Sequence, residues 1–389
     1  MRVSPRVPVT AAALCLLVCT TGVVLLYRSS APADIDEGSA PSLGVLWTAP
    51  VERVSYLTAT PDGSFVGVVH PGGEIVCRGP SGSVRWRAVI PGSDALTLSP
   101  DGAYALVFTR LDPTARNVII LDSEGNTHWK LVVSGGVWSA DACSTDAGAR
   151  FVVGTGDRHV YVIDVGEKRK RYRRWRAPGA VVSLNIDPTG ERVIYGSWQK
   201  SAVGRQAVDG KRLWVQDRTS SHLQFVEALH SGDRILVRSR PNAAVSDGEL
   251  AMLDSSGTVI WSESEDPKLS LSVVCSPDGS YICTGYSREI THEGKSVRED
   301  HAVLRDAYGA RLWDKGSLFF DPTPLMVTSD GYVVVCAGEK ALFTISPGGD
   351  LQPAIRLPAA VKQALPTRDE SRLLLECADG RLRMLAVEK

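Results

Sequence analysis

The stretch Leu121–Trp129, with the sequence LDSEGNTHW, places a glycine four residues before a tryptophan. The same spacing recurs at four other places in the chain: Gly82–Trp86, Gly210–Trp214, Gly257–Trp261 and Gly309–Trp313. A glycine at this position suits a hairpin turn that needs a positive φ, and the tryptophan then follows on the next strand. The regular repetition favours a building unit over a ligand site, because a ligand site needs aromatic side chains that converge.

Two more tryptophans, Trp47 and Trp175, stand at the same place in their units but lack the glycine spacing. We expect all seven indoles to pack against the neighbouring unit of the repeat. The predicted docking residues are Trp47, Trp86, Trp129, Trp175, Trp214, Trp261 and Trp313. Trp138 and Trp198 lie outside the pattern, and for them we favour burial in the core over contact with a ligand.

A second motif gives the number of units. Turn sequences related to Ser/Thr-Pro-Asp-Gly, such as TPDG at 60–63 and SPDG at 99–102, begin eight times at intervals of 39 to 52 residues. Each turn lies between two short apolar runs, and two further runs follow before the next turn. Four short antiparallel strands in about 40–45 residues are typical of one propeller blade. The sequence therefore predicts an all-β, eight-bladed β-propeller with four antiparallel strands per blade.

The two ends of the repeat region predict how the ring closes. The last unit has three strands, whereas LGVLWTA at 43–49 is a lone strand that carries a tryptophan. Pairing of this strand with the C-terminal strand completes the eighth blade and removes two exposed sheet edges. Residues 43–389 are therefore predicted to form one β-propeller domain.

The N-terminal segment predicts attachment to a membrane. Residues 7–27 form an uncharged apolar run that is long enough to span a bilayer as a transmembrane helix. Arginines before the run and acidic residues after it predict a cytoplasmic stub at 1–6, a linker at 28–42 and a single-pass cell-membrane protein with an extracytoplasmic propeller. The run then acts as a signal anchor. Alternatively, cleavage at the small residues 31–33 leaves a secreted or periplasmic propeller.

The overall composition is that of a folded protein with little net charge. The formal net charge is -1 at pH 7, with 43% hydrophobic and 22% charged residues. Such a chain has no general attraction to nucleic acid or to anionic lipid, so we expect no nucleic-acid partner. Any contact with an anionic surface has to be local.

Departures from the repeat are the places where we look for function. In blade 3 the segment 166–179 lengthens the turn between the third and fourth strands and concentrates positive charge. The residues predicted to contact an anion or an acidic partner are Lys168, Arg169, Lys170, Arg171, Arg173, Arg174 and Arg176. The alternative is a solvated hairpin extension with no partner. Blades 5 and 6 also have long charged connections, at 238–249 and 286–301, which we interpret as loops.

The glycine and tryptophan pattern resembles a known repeat. LDSEGNTHW, LDSSGTVIW and RDAYGARLW are similar to the docking repeat of pyrroloquinoline quinone (PQQ)-like propellers, the quinoprotein alcohol dehydrogenase-like superfamily, and the SPDG turns are similar to those of WD40-like (WD repeat) propellers. The resemblance covers residues 43–389 and implies the fold. The superfamily includes quinone-dependent dehydrogenases and a BamB-like non-catalytic type, so the resemblance alone does not imply one activity.

The residues that the dehydrogenases would require are not recognisable in the sequence. The resemblance to those enzymes calls for an adjacent cysteine pair, calcium-binding carboxylates and a catalytic aspartate, but the propeller cysteines are scattered singly. The seven histidines show no zinc-binding spacing, and Cys275 and Cys283 flank a tight hairpin where we expect reduced thiols. We therefore expect no cofactor, no metal site and no catalytic residue.

These observations lead to a functional prediction of protein binding. We expect a non-enzymatic, membrane-anchored, extracytoplasmic β-propeller that acts as an interaction scaffold for other proteins. Two alternatives stay open at this point. One is a small quinoprotein-type oxidoreductase, and the other is a ligand-sensing propeller.

Overall fold

The computed structural model describes residues 42–388, except for 111, 113, 115–116, 199–201, 218–220, 229–232, 242–247, 266–269, 293–294, 318–321 and 339. This part of the chain folds into eight antiparallel sheets of four strands each and contains no helix. The prediction of an all-β, eight-bladed propeller is confirmed. In each of blades 1–7, the strands follow one another from the inner to the outer position in chain order.

The first four blades come from the N-terminal half of the propeller sequence. Blade 1 consists of β2 (Tyr56–Ala59), β3 (Val66–Val69), β4 (Glu74–Arg78) and β5 (Val84–Val89). Blade 2 consists of β6 (Ala95–Leu98), β7 (Ala105–Phe108), β8 (Asn117–Leu121) and β9 (Thr127–Val132). Blade 3 consists of β10 (Val137–Thr145), β11 (Gly148–Thr155), β12 (His159–Val165) and β13 (Lys170–Arg176). Blade 4 consists of β14 (Ala180–Ile186), β15 (Arg192–Trp198), β16 (Ala202–Ala207) and β17 (Arg212–Asp217).

The last four blades complete the ring. Blade 5 consists of β18 (Ser221–Ala228), β19 (Arg234–Pro241), β20 (Gly248–Asp254) and β21 (Val259–Glu265). Blade 6 consists of β22 (Ser270–Cys275), β23 (Tyr281–His292), β24 (Lys295–Asp306) and β25 (Arg311–Ser317). Blade 7 consists of β26 (Pro322–Val327), β27 (Val333–Ala337), β28 (Ala341–Ile345) and β29 (Leu351–Arg356). Blade 8 consists of β30 (Val361–Pro366), β31 (Arg372–Cys377), β32 (Arg381–Glu388) and β1 (Ser42–Pro50).

The ring closes as the lone N-terminal strand predicts. β1 pairs antiparallel with β32 from Ser42 opposite Glu388 to Pro50 opposite Arg381. The inner strand β30 also contacts β2 of blade 1. The predicted transmembrane segment, residues 7–27, lies outside the described residues. Within the described part of the chain, no helix is long and apolar enough to cross a membrane.

The core is a series of apolar layers between neighbouring blades. Ile120 of blade 2 and Phe151 of blade 3 belong to one buried cluster, and both side chains are fully buried. Trp47 and Met384 of blade 8 similarly pack with Val66 of blade 1. Because the middle strands are covered by a blade on each side, they are near-continuous runs of Val, Ile and Leu rather than alternating sequences.

The Ser/Thr-Pro-Asp-Gly turns connect the first and second strands of a blade. In SPDG at 99–102, the Ser99 hydroxyl donates to Asp101 Oδ1 at 2.6 Å, and the backbone N–H of Tyr104 donates to Ser99 Oγ at 2.9 Å. Gly102 has a φ of +65°, and a methyl group on its Cα would lie 2.2 Å from Phe65 of the preceding blade. The turn therefore needs its glycine both for the backbone conformation and for the approach of the neighbouring blade.

The predicted loop of blade 6 is wrong, because regular strands replace it. β23 and β24 are twelve residues each and pair from Tyr281 opposite Asp306 to His292 opposite Lys295. The register places Arg288 opposite Glu299 and Glu289 opposite Arg298. Of the blade 5 connection at 238–249, residues 242–247 lie outside the described residues.

Candidate functional site

The repeated tryptophans lie against turn glycines of the following blade. The Trp47 indole of β1 packs on Gly82 of blade 1, so closely that a methyl group on Gly82 would lie 2.7 Å from the ring. The same close contact joins Trp86 to Gly125, Trp214 to Gly257 and Trp261 to Gly309, while Trp175 meets Gly210 at the ordinary van der Waals distance of 3.5 Å. At Gly349 a methyl group would meet Lys315 at 3.0 Å and the Cβ of Trp313 at 3.4 Å rather than an indole ring. Each of these glycines has a positive φ. The geometry supports the docking role, which stays a prediction until it is tested by substitution.

Two of these indoles also hydrogen-bond to the blade that they touch. Trp214 Nε1 donates to the carbonyl oxygen of Ser255 at 2.8 Å, and Trp313 Nε1 donates to that of Ser346 at 3.1 Å. Both acceptors lie in the turn that carries the docking glycine. The tryptophan side chain packs against the glycine and its indole N–H donates to the same turn, and these two contacts together orient one blade relative to the next.

Blade 3 departs from this arrangement. The hairpin between β12 and β13 turns through residues 166–169, with Gly166 N–H donating to the Arg169 carbonyl oxygen at 2.8 Å. No glycine of this turn faces Trp129, whose ring instead lies 6.4 Å from that of Tyr172 on β13. The extra residues of the segment therefore lengthen the strands, which pair over seven positions, rather than the turn alone.

The outer strand of blade 3 also pairs without the irregularity of the other outer strands. In the other seven blades, the pairing of the outer strand with its neighbour contains a register shift. In blade 2, for example, Trp129 is opposite Ile120 and Thr127 is opposite Leu121, so His128 is bulged out. β13 pairs with β12 in one continuous register, from Lys170 opposite Val165 to Arg176 opposite His159.

The seven predicted basic residues all lie on this hairpin, but the strand separates them into two sets. Arg171 and Arg173 lie on the side of β13 that carries Trp175, and both approach Asp164, with Nε of Arg171 at 3.0 Å and Nη2 of Arg173 at 3.7 Å. Arg150 Nε lies 2.5 Å from the same carboxylate. Burial opposes ionisation of Asp164, but hydrogen bonds from Arg150 and Arg171 outweigh it and hold the pKa of Asp164 below its usual value.

The opposite side of β13 carries Lys170, Tyr172, Arg174 and Arg176. Lys170 Nζ donates to the backbone carbonyl oxygen of His128 at 2.6 Å, and Arg174 Nη1 lies 3.5 Å from the Tyr161 hydroxyl oxygen. Tyr172 is 49% exposed, and the three basic side chains are exposed. These contacts involve neutral oxygens, so the positive charges of Lys170 and Arg174 are not compensated there.

The remaining basic residues of the segment lie near its two ends. Lys168 and Arg169 are exposed in the turn, and Arg176 is exposed at the end of β13. Within the described residues, none of the three forms an ion pair. One carboxylate, Asp164, therefore faces three guanidinium groups on one side of the sheet, while the other side and the turn present uncompensated cations along an exposed edge.

A second feature is a cavity of about 560 Å³ on the propeller axis, at the end where the Ser/Thr-Pro-Asp-Gly turns lie. Its wall is mostly apolar and includes Pro61, Ile186, Met326 and Leu365. In its lining, Arg368 Nη2 of blade 8 donates to Asp141 Oδ1 of blade 3 at 3.0 Å. The two residues are 227 positions apart in the chain, and no local sequence pattern predicts their contact.

The turn that supplies Arg368 is itself unusual. In TRDE at 367–370, Arg368 stands where four of the other turns have proline, and Glu370, with a φ of +62°, stands where turns such as SPDG at 99–102 have glycine. Glu370 is 4% exposed, and its carboxylate accepts a hydrogen bond from the Ser329 hydroxyl of blade 7. A non-glycine residue in the left-handed region stores backbone strain, which this bond to the neighbouring blade helps to hold.

The cavity does not fit the demands of a quinone cofactor with calcium. Its two carboxylates already have partners, since Asp141 accepts from Arg368 and from the backbone N–H of Ile186, and Glu370 accepts from Ser329. Its cysteines, Cys143 and Cys275, come from different blades and form no adjacent pair. In the described part of the chain, no cluster of three His, Cys, Asp or Glu side chains is arranged to hold a metal ion.

Other sequence interpretations can be compared with the geometry. Cys275 is opposite Ile282 and Cys283 is opposite Val274, so the two cysteines point to opposite faces of their hairpin. Burial raises the pKa of the Cys283 thiol. Trp138 and Trp198 form an edge-to-face pair with ring centroids 5.6 Å apart. Trp198 is 45% exposed, so its expected burial in the core is wrong.

Comparison with known proteins bears on the fold and on the repeat. A protein-family model described as outer membrane protein assembly factor BamB matches residues 114–273, which run from blade 2 into blade 6. The resemblance to PQQ-like propellers is confirmed. No curated protein shows significant similarity to the sequence.

Solved structures of similar architecture carry very different sequences. The crystal structure of BamB from Moraxella catarrhalis has a TM-score of 0.60 at 13% identity, over 88% of this chain and 99% of that one. The Dos1 propeller has a TM-score of 0.64 at 10% identity, over 89% and 96% of the two chains. Kuenenia stuttgartiensis hydrazine synthase has a TM-score of 0.50 at 14% identity, over 77% and 97%. At such identities the similarity establishes the fold alone, and an eight-bladed propeller does not by itself decide between scaffold and enzyme.

Proposed function

We propose that this PQQ-like propeller is a non-enzymatic scaffold that binds other proteins, and that its main contact surface is the basic hairpin of blade 3. The observation that carries the proposal is the outer strand β13, where exposed cations lie along a sheet edge and ion pairs with Asp164 engage only Arg171 and Arg173 among them. A partner with an acidic surface would supply the missing opposite charge.

The proposal includes the cellular location. An anchor at residues 7–27 holds the propeller at the cell membrane, on its extracytoplasmic side, where it meets partners in the same compartment. Protease added to intact cells tests this arrangement. Cleavage of the propeller or of the linker at 28–42 is expected, and full protection in intact cells together with cleavage after lysis would contradict it.

The contact surface is tested by photo-crosslinking in the native membrane. A photoreactive amino acid in place of Tyr172, which is 49% exposed on β13, should form an adduct with a discrete protein. The same substitution at Tyr308, which is 71% exposed on blade 6, serves as the control. Adducts at position 308 alone, or at neither position, would show that blade 3 is not the contact surface.

The oxidoreductase and ligand-sensing alternatives rest on the axial cavity. Incubation of the purified protein with PQQ and calcium, followed by an assay of dye reduction, separates the first alternative from the scaffold. We expect no turnover, because the cavity lacks the free carboxylates and the adjacent cysteines that this chemistry uses. Robust turnover would overturn the scaffold assignment.

A further inference from the structure

The outer edge of blade 3 differs from the other seven outer edges in its regularity. β13 is the last strand of its sheet, so alternate backbone N–H and C=O groups along it point away from β12. Bulges on the outer strands of the other blades disturb such an array and help to prevent pairing with another chain. β13 has no bulge over its seven paired residues. Its backbone is therefore a straight template for an additional strand.

Positive charge determines which strand that template can accept. Lys170, Arg174 and Arg176 occupy three of the four positions on one side of β13, which repeat about every 6.8 Å, and Tyr172 occupies the position between Lys170 and Arg174. An apolar strand would leave these positive charges without a partner, and a basic strand would repel them. A strand with carboxylates at every second position would place them beside the cations, where opposite charges across neighbouring strands stabilise pairing.

We propose that an acidic, extended segment of the partner protein adds to β13 as a fifth strand of blade 3. This inference rests on the proposed scaffold function and specifies the chemistry of the partner. The segment spans about seven residues, or about 23 Å. On one face it carries Asp or Glu near Lys170, Arg174 and Arg176, and an apolar or aromatic residue beside Tyr172.

The position of the aromatic residues favours an added strand over a partner that is bound by electrostatic attraction alone. Tyr172 lies between Trp129 and Tyr161, with ring centroids 6.4 and 6.2 Å away, so its exposed ring is held in place within the row of cations. An added strand brings one of its side chains over this ring in the same register that brings carboxylates to the flanking cations. Main-chain hydrogen bonds then supply affinity, and the alternate side chains supply selectivity.

The test measures binding of purified propeller to a synthetic ten-residue peptide with Glu at alternate positions, except for one Phe in that series that can lie beside Tyr172, and with Val or Thr between. Two further peptides carry N-methyl groups on one or the other set of alternate backbone amides. In an added strand one set donates to β13 and the other faces solvent, so one methylated peptide should lose about tenfold or more in affinity while the other stays within about twofold. Equal binding by both methylated peptides, or loss by both, would overturn strand addition.

Variants of the propeller test the site on the other side of the interface. The triple variant Lys170→Glu, Arg174→Glu and Arg176→Glu should lose the acidic peptide and bind a peptide with Lys in place of Glu. The matched control reverses three exposed basic residues on other blades, Lys211, Arg212 and Arg356, and should bind like the wild type. All six positions are exposed, and thermal unfolding checks that both variants fold.

The remaining outcomes either assign a different ligand to the blade 3 surface or show which of the two proposals fails. The propeller could bind vesicles of anionic phosphatidylglycerol but not the peptide. If the blade 3 variant abolished that vesicle binding, the surface would be assigned to lipid and the inference would be overturned. Absence of peptide binding together with adducts at position 172 in cells would refute strand addition and leave the scaffold function standing. Absence of both would refute the two proposals together.

Discussion

Gly257 illustrates how a missing side chain positions a tryptophan. Its φ is +87°, a conformation in which an L side chain is strained, and a methyl group there would lie 2.8 Å from the Trp214 ring. Gly72 offers a natural comparison. Its φ is +92°, but a methyl group there would meet no atom within 4 Å. The two positions share the backbone strain and differ in the contact with an indole.

We therefore expect different costs for Gly257→Ala and Gly72→Ala. Gly72→Ala should lower the free energy of unfolding by about 1 kcal/mol, from backbone strain alone. Gly257→Ala should lower it by a further 1–3 kcal/mol or so, because the indole has to move. Urea denaturation of the two variants measures the difference. Equal losses would mean that Trp214 does not depend on the glycine.

Arg158 is one of two described non-glycine residues with a positive φ, at +74°, and Glu370 is the other. Arg158→Gly should raise the free energy of unfolding by about 1 kcal/mol, because it relieves the strain at a turn residue. Glu370→Gly relieves similar strain but removes the buried acceptor of Ser329, so it should stabilise less or destabilise. Thermal or urea unfolding of both variants decides. A gain at position 370 larger than that at 158 would contradict the structural role of the Glu370 carboxylate.

At the scale of the element, the turn SPDG at 276–279 makes stability dependent on pH. Asp278 accepts from the Ser276 hydroxyl at 2.6 Å, and from the N–H and hydroxyl of Ser280 at 3.0 and 2.6 Å. Burial opposes ionisation, but these bonds outweigh it and lower the pKa of Asp278. A carboxyl whose pKa is lower in the folded state stabilises the fold above its unfolded pKa of about 4. That contribution is lost as the pH falls through the folded pKa.

We expect Asp278→Asn to be less stable than the wild type near neutral pH and to lose less stability on acidification. The amide keeps an acceptor oxygen but has no charge to titrate. Ser280→Ala, which removes one hydroxyl donor and keeps the carboxylate, should fall between the two. Urea denaturation at neutral pH and below about pH 4 provides the measurement. An identical decline for wild type and Asp278→Asn would exclude this turn as a source of the pH dependence.

Strand pairing is also the feature that the sequence predicts least well. Repeated turns and tryptophans are local signals, and they predicted the strands and blades because each blade uses the same short-range chemistry. The continuous register of β13 and the extension of β23 and β24 to twelve residues each are properties of strand pairing, which the order of residue types along one segment does not show. The contact between Arg368 and Asp141 is non-local, although the change from TPDG to TRDE was a visible signal that this turn differs.

At the scale of the molecule, β1 joins blade 8 to the beginning of the ring. Trp47 of β1 is 8% exposed and packs on Gly82 of blade 1, while the strand itself pairs with β32. Trp47→Ala should cost about 3–5 kcal/mol in the free energy of unfolding. A chain that begins at residue 51 loses the pairing as well, and we expect it to unfold at lower urea concentration and without a single cooperative transition.

The control for this deletion is a chain that begins at residue 40, which retains β1. Circular dichroism and tryptophan fluorescence should follow one coincident transition for the control and separate transitions for the deletion. Equal stability of the two chains would contradict the closed eight-bladed ring. A stable deletion would also mean that the edge of β32 tolerates exposure.

The pairing of β1 with β32 has a consequence for how the protein is made. Roughly 330 residues separate the end of β1 from the start of β32. At a synthesis rate of about 5–20 residues per second, β1 waits on the order of half a minute before its hydrogen-bonding partner exists. Every shorter nascent chain presents an open ring, with the Trp47 strand unpaired at one end and the growing blade at the other. Completion of the propeller is thus a single late event in biosynthesis, and the interval before it is the period in which the chain is most exposed to mispairing or degradation.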